Sequence, residues 1–208
     1  MNYEVEMGKE MLRLYKSKSS DQYAIYSLIQ EDLKFVCECL KKLKQIVESG
    51  EENPLVCEAL FNAALIRLYS CFDGNKALKK SILDELPEGA REAFSFFKSY
   101  RDKHISHKVN PIDQMKPGVI LAERNSQEKG VIAVGCFGMK DISFLDPSFI
   151  NSSFVFAEAL MKRVSEKHKE LEAEVLKEAQ AKDQEKMYRL PSVKVVVPNS
   201  DHLHKNRS

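Results

Sequence analysis

No stretch of this chain approaches the roughly eighteen uninterrupted apolar residues that a membrane-spanning helix needs, so no membrane segment and no membrane partner are expected. The first twenty residues, MNYEVEMGKEMLRLYKSKSS, place acids among the first ten and hold no apolar block, so a secretory signal is not expected either. Net charge is nearly absent. Lysine and arginine number 32 against 31 acids, which leaves +1 and no case for a globally basic nucleic-acid binder; any basic surface must be local. No two of the five cysteines (Cys37, Cys39, Cys57, Cys71, Cys136) are spaced as CxxC. Their number is odd and four of them sit in apolar helical patterns, so small buried hydrophobes in a reducing cytoplasm are expected rather than disulfides or a zinc framework. The glycines of GVIAVGCFG (Gly130, Gly135, Gly138) form neither GxGxxG nor a P-loop, which leaves a kinase or nucleotidyltransferase without its phosphate cradle. There is no internal repeat and no low-complexity segment.

What is present is an ordinary folded balance, 43% hydrophobic and 30% charged over 208 residues, enough for one domain with a sizeable core. Met7, Met11, Leu14 and Tyr15 have helical spacing before the polar SKSSD, where Ser20 or Asp21 can cap a new helix. In that helix Leu33, Val36, Leu40, Leu43 and Val47 recur at three and four residues, one amphipathic face, and Ser49-Gly50 stops it. Asn53-Pro54 predicts a cap followed by proline in the first turn. The segment after it, LVCEALFNAALIRLYSCF, is apolar nearly all round and is expected in the middle of a bundle. Asp73-Gly74-Asn75 breaks it, a shorter helix follows through ALKKSILDEL, and REAFSFFKSYRDKHISH forms the next, ended by Asn110-Pro111.

Two β-branched runs, 119–121 and 131–134, separated by a turn-rich stretch, predict a β-hairpin at about 118–137. A long helix is expected over about 148–188, with Ala157, Met161, Val164, His168, Leu171 and Val175 forming a coiled-coil-like seam suited to a bundle or a second subunit. The expected architecture is mainly α: one helical domain over 1–190 with a β-hairpin inserted before its long last helix, then a partly flexible tail at 191–208.

The densest chemistry lies in SYRDKHISHK, residues 99–108, which holds two of only five histidines. Arg101 and His104, and His104 and His107, are three apart and can touch on an α-helix, whereas Arg101 and His107 diverge by about 120°. His107 falls near the helix end, where the dipole favours its cation. Lys98, Arg101, Lys103 and Lys108 against Asp102 alone predict a local basic patch. A guanidinium fork beside an imidazole suits a phosphodiester: one grips non-bridging oxygens while the other moves protons near neutral pH.

On these residues the chain resembles the HEPN superfamily, in wording closest to branches found in abortive infection and other phage defence. Arg101, Asp102 and His107 match its motif of arginine, polar residue and histidine with five residues between the first and last, and the order of helices before it, over roughly 22–110, is also similar. The resemblance implies a HEPN-like bundle and a metal-independent endoribonuclease, without cofactor, acting as a homodimer whose motif helices frame one cleft. It implies that Arg101 holds the scissile phosphate, His107 moves a proton at the 2′-hydroxyl or the 5′-oxygen, and Asp102 orients one of these two. Products would carry 2′,3′-cyclic phosphate and 5′-hydroxyl ends. His104, Lys98, Lys103 and Lys108 would contact the RNA. An antitoxin or defence-system partner is also implied, although Val109 stands where one toxin branch carries a modified tyrosine.

The alternative is a non-catalytic helical protein that binds RNA, nucleotide or a partner protein, its histidines structural. A metal at His104-x-x-His107 lacks a neighbouring carboxylate or cysteine at suitable spacing. Phe94, Phe96 and Phe97 are expected in the core rather than as a base-stacking platform, and His168 is expected to be packed or partner-facing.

Overall fold

Ser17 and Ser20 exchange hydrogen bonds at the head of the first long helix: Ser17 N–H donates to Ser20 Oγ at 2.7 Å, and Ser20 N–H to Ser17 Oγ at 3.1 Å. This is a reciprocal cap, so α1 (Lys18–Ser49) begins three or four residues earlier than a cap at Ser20 or Asp21 would allow. The structure, a computed structural model, describes residues 2–3, 13–50, 53–74, 77–105, 114–123, 130–139, 145–193 and 195–196. Two compact units divide the chain, one formed by 1–24 with 167–208 and the other by 25–166.

In the larger unit α1 buries Ile29, Leu33, Val36, Leu40 and Leu43 as the sequence pattern requires, but at its end Ile46 is buried and the expected Val47 is only partly so. Gly50, at φ 71°, ends it in the left-handed region that glycine enters without strain. Asn53 caps α2 (Pro54–Ser70) by accepting the Val56 N–H at 3.2 Å, with Pro54 in the first turn. α2 buries Cys57, Phe61, Ala64, Leu65, Leu68 and Tyr69. It is not enclosed on every side, however, since Leu55 and Ile66 are exposed. Burying an all-apolar helix takes partners all round it, and the core cluster draws on one side of α2 only.

The expected short helix is a 3₁₀ turn, Lys80–Glu85, which buries Ile82 and Leu83. Gly89, at φ 85°, then turns the chain into α3 (Ala90–Tyr100). Phe94 and Phe97 are buried as expected, but Phe96 is 56% exposed, with its ring against Phe97 and Phe149. Three neighbouring phenylalanines on one helix cannot all face the same side. α3 continues without a break into a π turn, Arg101–Ile105.

Strands β2 (Gln114–Leu121) and β3 (Val131–Met139) pair antiparallel, with Val119 opposite Val134 and Ile120 opposite Ala133, and the register slips after Ile120. This is the hairpin that the β-branched runs predict, and its apolar side chains are exposed on both faces, Val134 most of all at 76%. Asp146 accepts the N–H groups of Ser148 and Phe149 at 2.8 and 3.3 Å and so caps α4 (Pro147–Gln180). Within this unit α4 sinks Ile150, Ala157, Leu160 and Val164 into the core shared with α1, α2 and α3.

In the smaller unit, residues 18–24 of α1 and 167–180 of α4 belong with α5 (Gln184–Tyr188) and a two-residue ladder of β1 (Asn2–Tyr3) with β4 (Val195–Val196). Leu14 and Tyr15 are not helical; Arg13 instead bridges to Ser192, and the Leu14 N–H donates to Pro191 O at 2.8 Å. Met7 and Met11 lie outside the described residues, as do residues 197–208 of the tail. Leu171 is buried here and His168 stacks on Tyr23 with ring centroids 4.6 Å apart. Of the six seam residues Ala157, Val164 and Leu171 are buried, while Met161, His168 and Val175 are half-buried. The protein is mainly helical with one small hairpin, and none of its described helices is long and apolar enough to cross a membrane.

Candidate functional site

The motif residues sit where α3 widens into the π turn, and the widening changes their geometry. In a π turn the backbone bonds close at i→i+5, so the three-residue neighbour rule for Arg101 and His104 no longer applies. Single π turns of this kind are frequent at functional positions.

Arg101 is the best-determined member. Its side chain is only 18% exposed and its guanidinium carbon lies 5.0 Å from the centre of the Tyr69 ring, a cation–π contact with the wall of α2. Its Nε donates to Asp102 Oδ1 at 2.8 Å and its Nη2 stands 2.6 Å from the same oxygen. Its Nη1 reaches Asp73 Oδ2 at 3.4 Å, a long and weak contact. Lys98 Nζ, one turn back on α3, donates to the other oxygen of Asp102 at 2.6 Å. Asp102 therefore joins two cations, and its carboxyl is held below the usual carboxylate range, first by the Lys98 hydrogen bond and then by Arg101. The floor is equally defined. The buried Tyr69 hydroxyl donates to Phe94 O at 2.6 Å, and burial pushes the phenol well above its ordinary pKa.

Arg101, Asp102 and Lys98 are thus brought together. Lys103 is exposed beside them. The side chain of His104 lies outside the described residues, and so do His107 and Lys108 entirely. Sequence reading missed two participants. Asp73, in sequence part of a helix stop, adds a second carboxylate, so Lys98 and Arg101 are paired with Asp102 and Asp73 while exposed Lys103 stands outside these pairs. Tyr69 was absorbed into an apolar helix. The signal for both was a phenol in an apolar helix, which needs a polar partner, followed one turn later by an acid on the same face.

Among the described residues no group of histidine, cysteine and carboxylate side chains is arranged to hold a metal. Comparison with protein-family models, with curated proteins and with solved structures finds no match for the chain.

Proposed function

We propose that the chain is a metal-independent endoribonuclease of HEPN type, a toxin or phage-defence effector that leaves 2′,3′-cyclic phosphate and 5′-hydroxyl ends. The observation that supports this reading is the way Asp102 holds Arg101: two of the three guanidinium nitrogens are fixed, and the third carries only the long contact to Asp73. A phosphodiester oxygen would displace Asp73 from Nη1 at small cost, because an exposed ion pair contributes about 0–1 kcal/mol, while Asp102 keeps the fork aimed. Arg101 then neutralises charge on the phosphorane-like transition state. In this proposal the 2′-oxygen attacks phosphorus and the P–O5′ bond breaks; His107 either accepts the 2′-hydroxyl proton, with water protonating the 5′-oxygen, or as its cation protonates the 5′-oxygen, with water taking the 2′-hydroxyl proton. Lys98, Lys103, His104 and Lys108 would track the RNA backbone. The proposal includes a homodimer, a cytoplasmic site of action and an antitoxin or other defence-system partner.

A second reading has its own observation. Every nitrogen of the Arg101 guanidinium already faces a carboxylate, and the group rests on Tyr69. That arrangement also suits a structural clasp between α2 and α3, in a helical protein that binds RNA, nucleotide or a partner protein without cutting.

Incubation of purified protein with total RNA in EDTA, followed by end-group analysis, separates the two. The first reading expects cyclic-phosphate ends with wild type and none with His107→Ala at unchanged thermal midpoint. The second expects no cleavage by either.

A further inference from the structure

The smaller unit contains a cavity of about 590 Å³, within the range of small-molecule sites. Its apolar lining comes from two stretches distant in sequence: Leu14 ahead of α1, and Met187, Leu190 and Pro191 at the end of α5. These stretches are pinned to each other. The Leu14 N–H donates to Pro191 O at 2.8 Å, and Arg13 Nη1 donates to Leu190 O at 3.1 Å and to Ser192 Oγ at 3.0 Å. The two stretches that line the cavity are therefore tied to each other by one main-chain bond and by the Arg13 side chain.

Its polar lining is one-signed. Lys16, Lys182 and Lys186 contribute three ammonium groups against the single carboxylate of Asp183. That carboxylate is already engaged, accepting the Lys186 N–H at 3.0 Å to cap α5. Glu178 lies close enough to Lys182 to feel its charge, and it is bound to the Ser19 hydroxyl. Among the described residues no carboxylate pairs with Lys16 or Lys186. An apolar hollow flanked by unneutralised ammonium groups is complementary to a molecule with a hydrocarbon body and an anionic head.

We propose that this cavity binds a small amphipathic anion, an alkyl or acyl chain ending in a carboxylate or phosphate, with the chain against Leu14, Met187 and Leu190 and the head between Lys16 and Lys186. The site is independent of the ribonuclease reading and stands or falls without it.

The test is calorimetric titration of the full chain with decanoate and with decyl phosphate below their micellar concentrations, beside decyltrimethylammonium, with methyl NMR of Met187 as the reporter of position. Saturable binding of one anion per chain is expected, with the Met187 methyl shifted and the cationic amphiphile not bound. Preference for decanoate or for decyl phosphate distinguishes a fatty acid from a phosphorylated lipid. Reversing both charges, Lys16→Glu with Lys186→Glu, should weaken binding at least about tenfold, the effect of roughly 1.4 kcal/mol of lost attraction. The proposal is overturned by absence of saturable binding, by equal binding of the cationic amphiphile, by binding that leaves Met187 unshifted, or by unchanged affinity in the charge-reversed protein. Should that double variant not fold, the wild-type titrations and the Met187 shift decide alone.

Discussion

The guanidinium of Arg101 lies over the ring of Tyr69, 5.0 Å from its centre, while the hydroxyl of the same tyrosine is spent on the carbonyl of Phe94 at 2.6 Å. One buried side chain thus serves both as hydrogen-bond donor to α3 and as the surface on which the motif arginine rests. Its two jobs can be separated by mutation. Tyr69→Phe keeps the ring and removes the hydroxyl's bond to a carbonyl that stays within the α3 helix, which should cost about 0.5–1.5 kcal/mol in urea denaturation. Tyr69→Leu should cost more, because the ring contacts with Arg101 and Phe94 go as well.

The Asp102 carboxyl titrates below its usual range in the folded protein, so the unfolded chain binds its proton first. Its contribution to stability is present above the unfolded value, about 3.9, and is lost as pH falls through the lower folded value. Asp102→Asn should therefore destabilise the protein at pH 7, and the difference should fade as pH falls below the ordinary carboxylate value and through the lower folded one. Urea midpoints of both proteins across this range are the check.

Two phenylalanines test where the core ends. Phe61 is fully buried, with its ring centroid 5.4 Å from that of Phe149 and 5.6 Å from that of Tyr100. Phe61→Ala should cost about 3–5 kcal/mol. Phe96, exposed at the edge of the same aromatic cluster, should cost well under half of that when replaced by alanine, as measured by the same denaturation.

The cysteines should differ sharply toward a thiol reagent. Burial pushes the Cys37 thiol up to about 11 and Cys71 to about 12; Cys39 is raised too and Cys57 is buried. Cys136 on β3 is exposed. Native protein at pH 8 should show one fast-reacting thiol with Ellman's reagent, absent in Cys136→Ser, and all five after denaturation.

Much of the fold was legible because it rests on local rules. The stripe from Leu33 to Leu43 and the Asn53-Pro54 cap follow from periodicity and turn chemistry over a few residues, and so does the hairpin. What was not legible depends on contacts between distant segments. Ser17 outcompetes Ser20 as the α1 cap because the two serines can satisfy each other, whereas pattern alone offers several polar candidates. The exposure of Leu55, Ile66 and Phe96 depends on how many neighbours surround each helix, which no single helix encodes. Asp73 joins Arg101 across 28 positions of sequence, so a count confined to the motif overstates the positive charge around Arg101 by one. Lys98, Arg101 and Asp102, being one turn of one helix, were found.

The proposed role of Arg101, a fork held in aim by Asp102, is tested by the rate of RNA cleavage in EDTA by wild type, Arg101→Lys and Asp73→Asn. Lysine keeps the charge but cannot hold Asp102 through two nitrogens while presenting a third to the phosphate, so at least about a hundredfold loss is expected with Arg101→Lys, equivalent to roughly 2.7 kcal/mol of lost transition-state stabilisation. Asp73→Asn should cleave as fast as wild type or faster. Equal rates for wild type and Arg101→Lys, or no cleavage by any of the three, would contradict it.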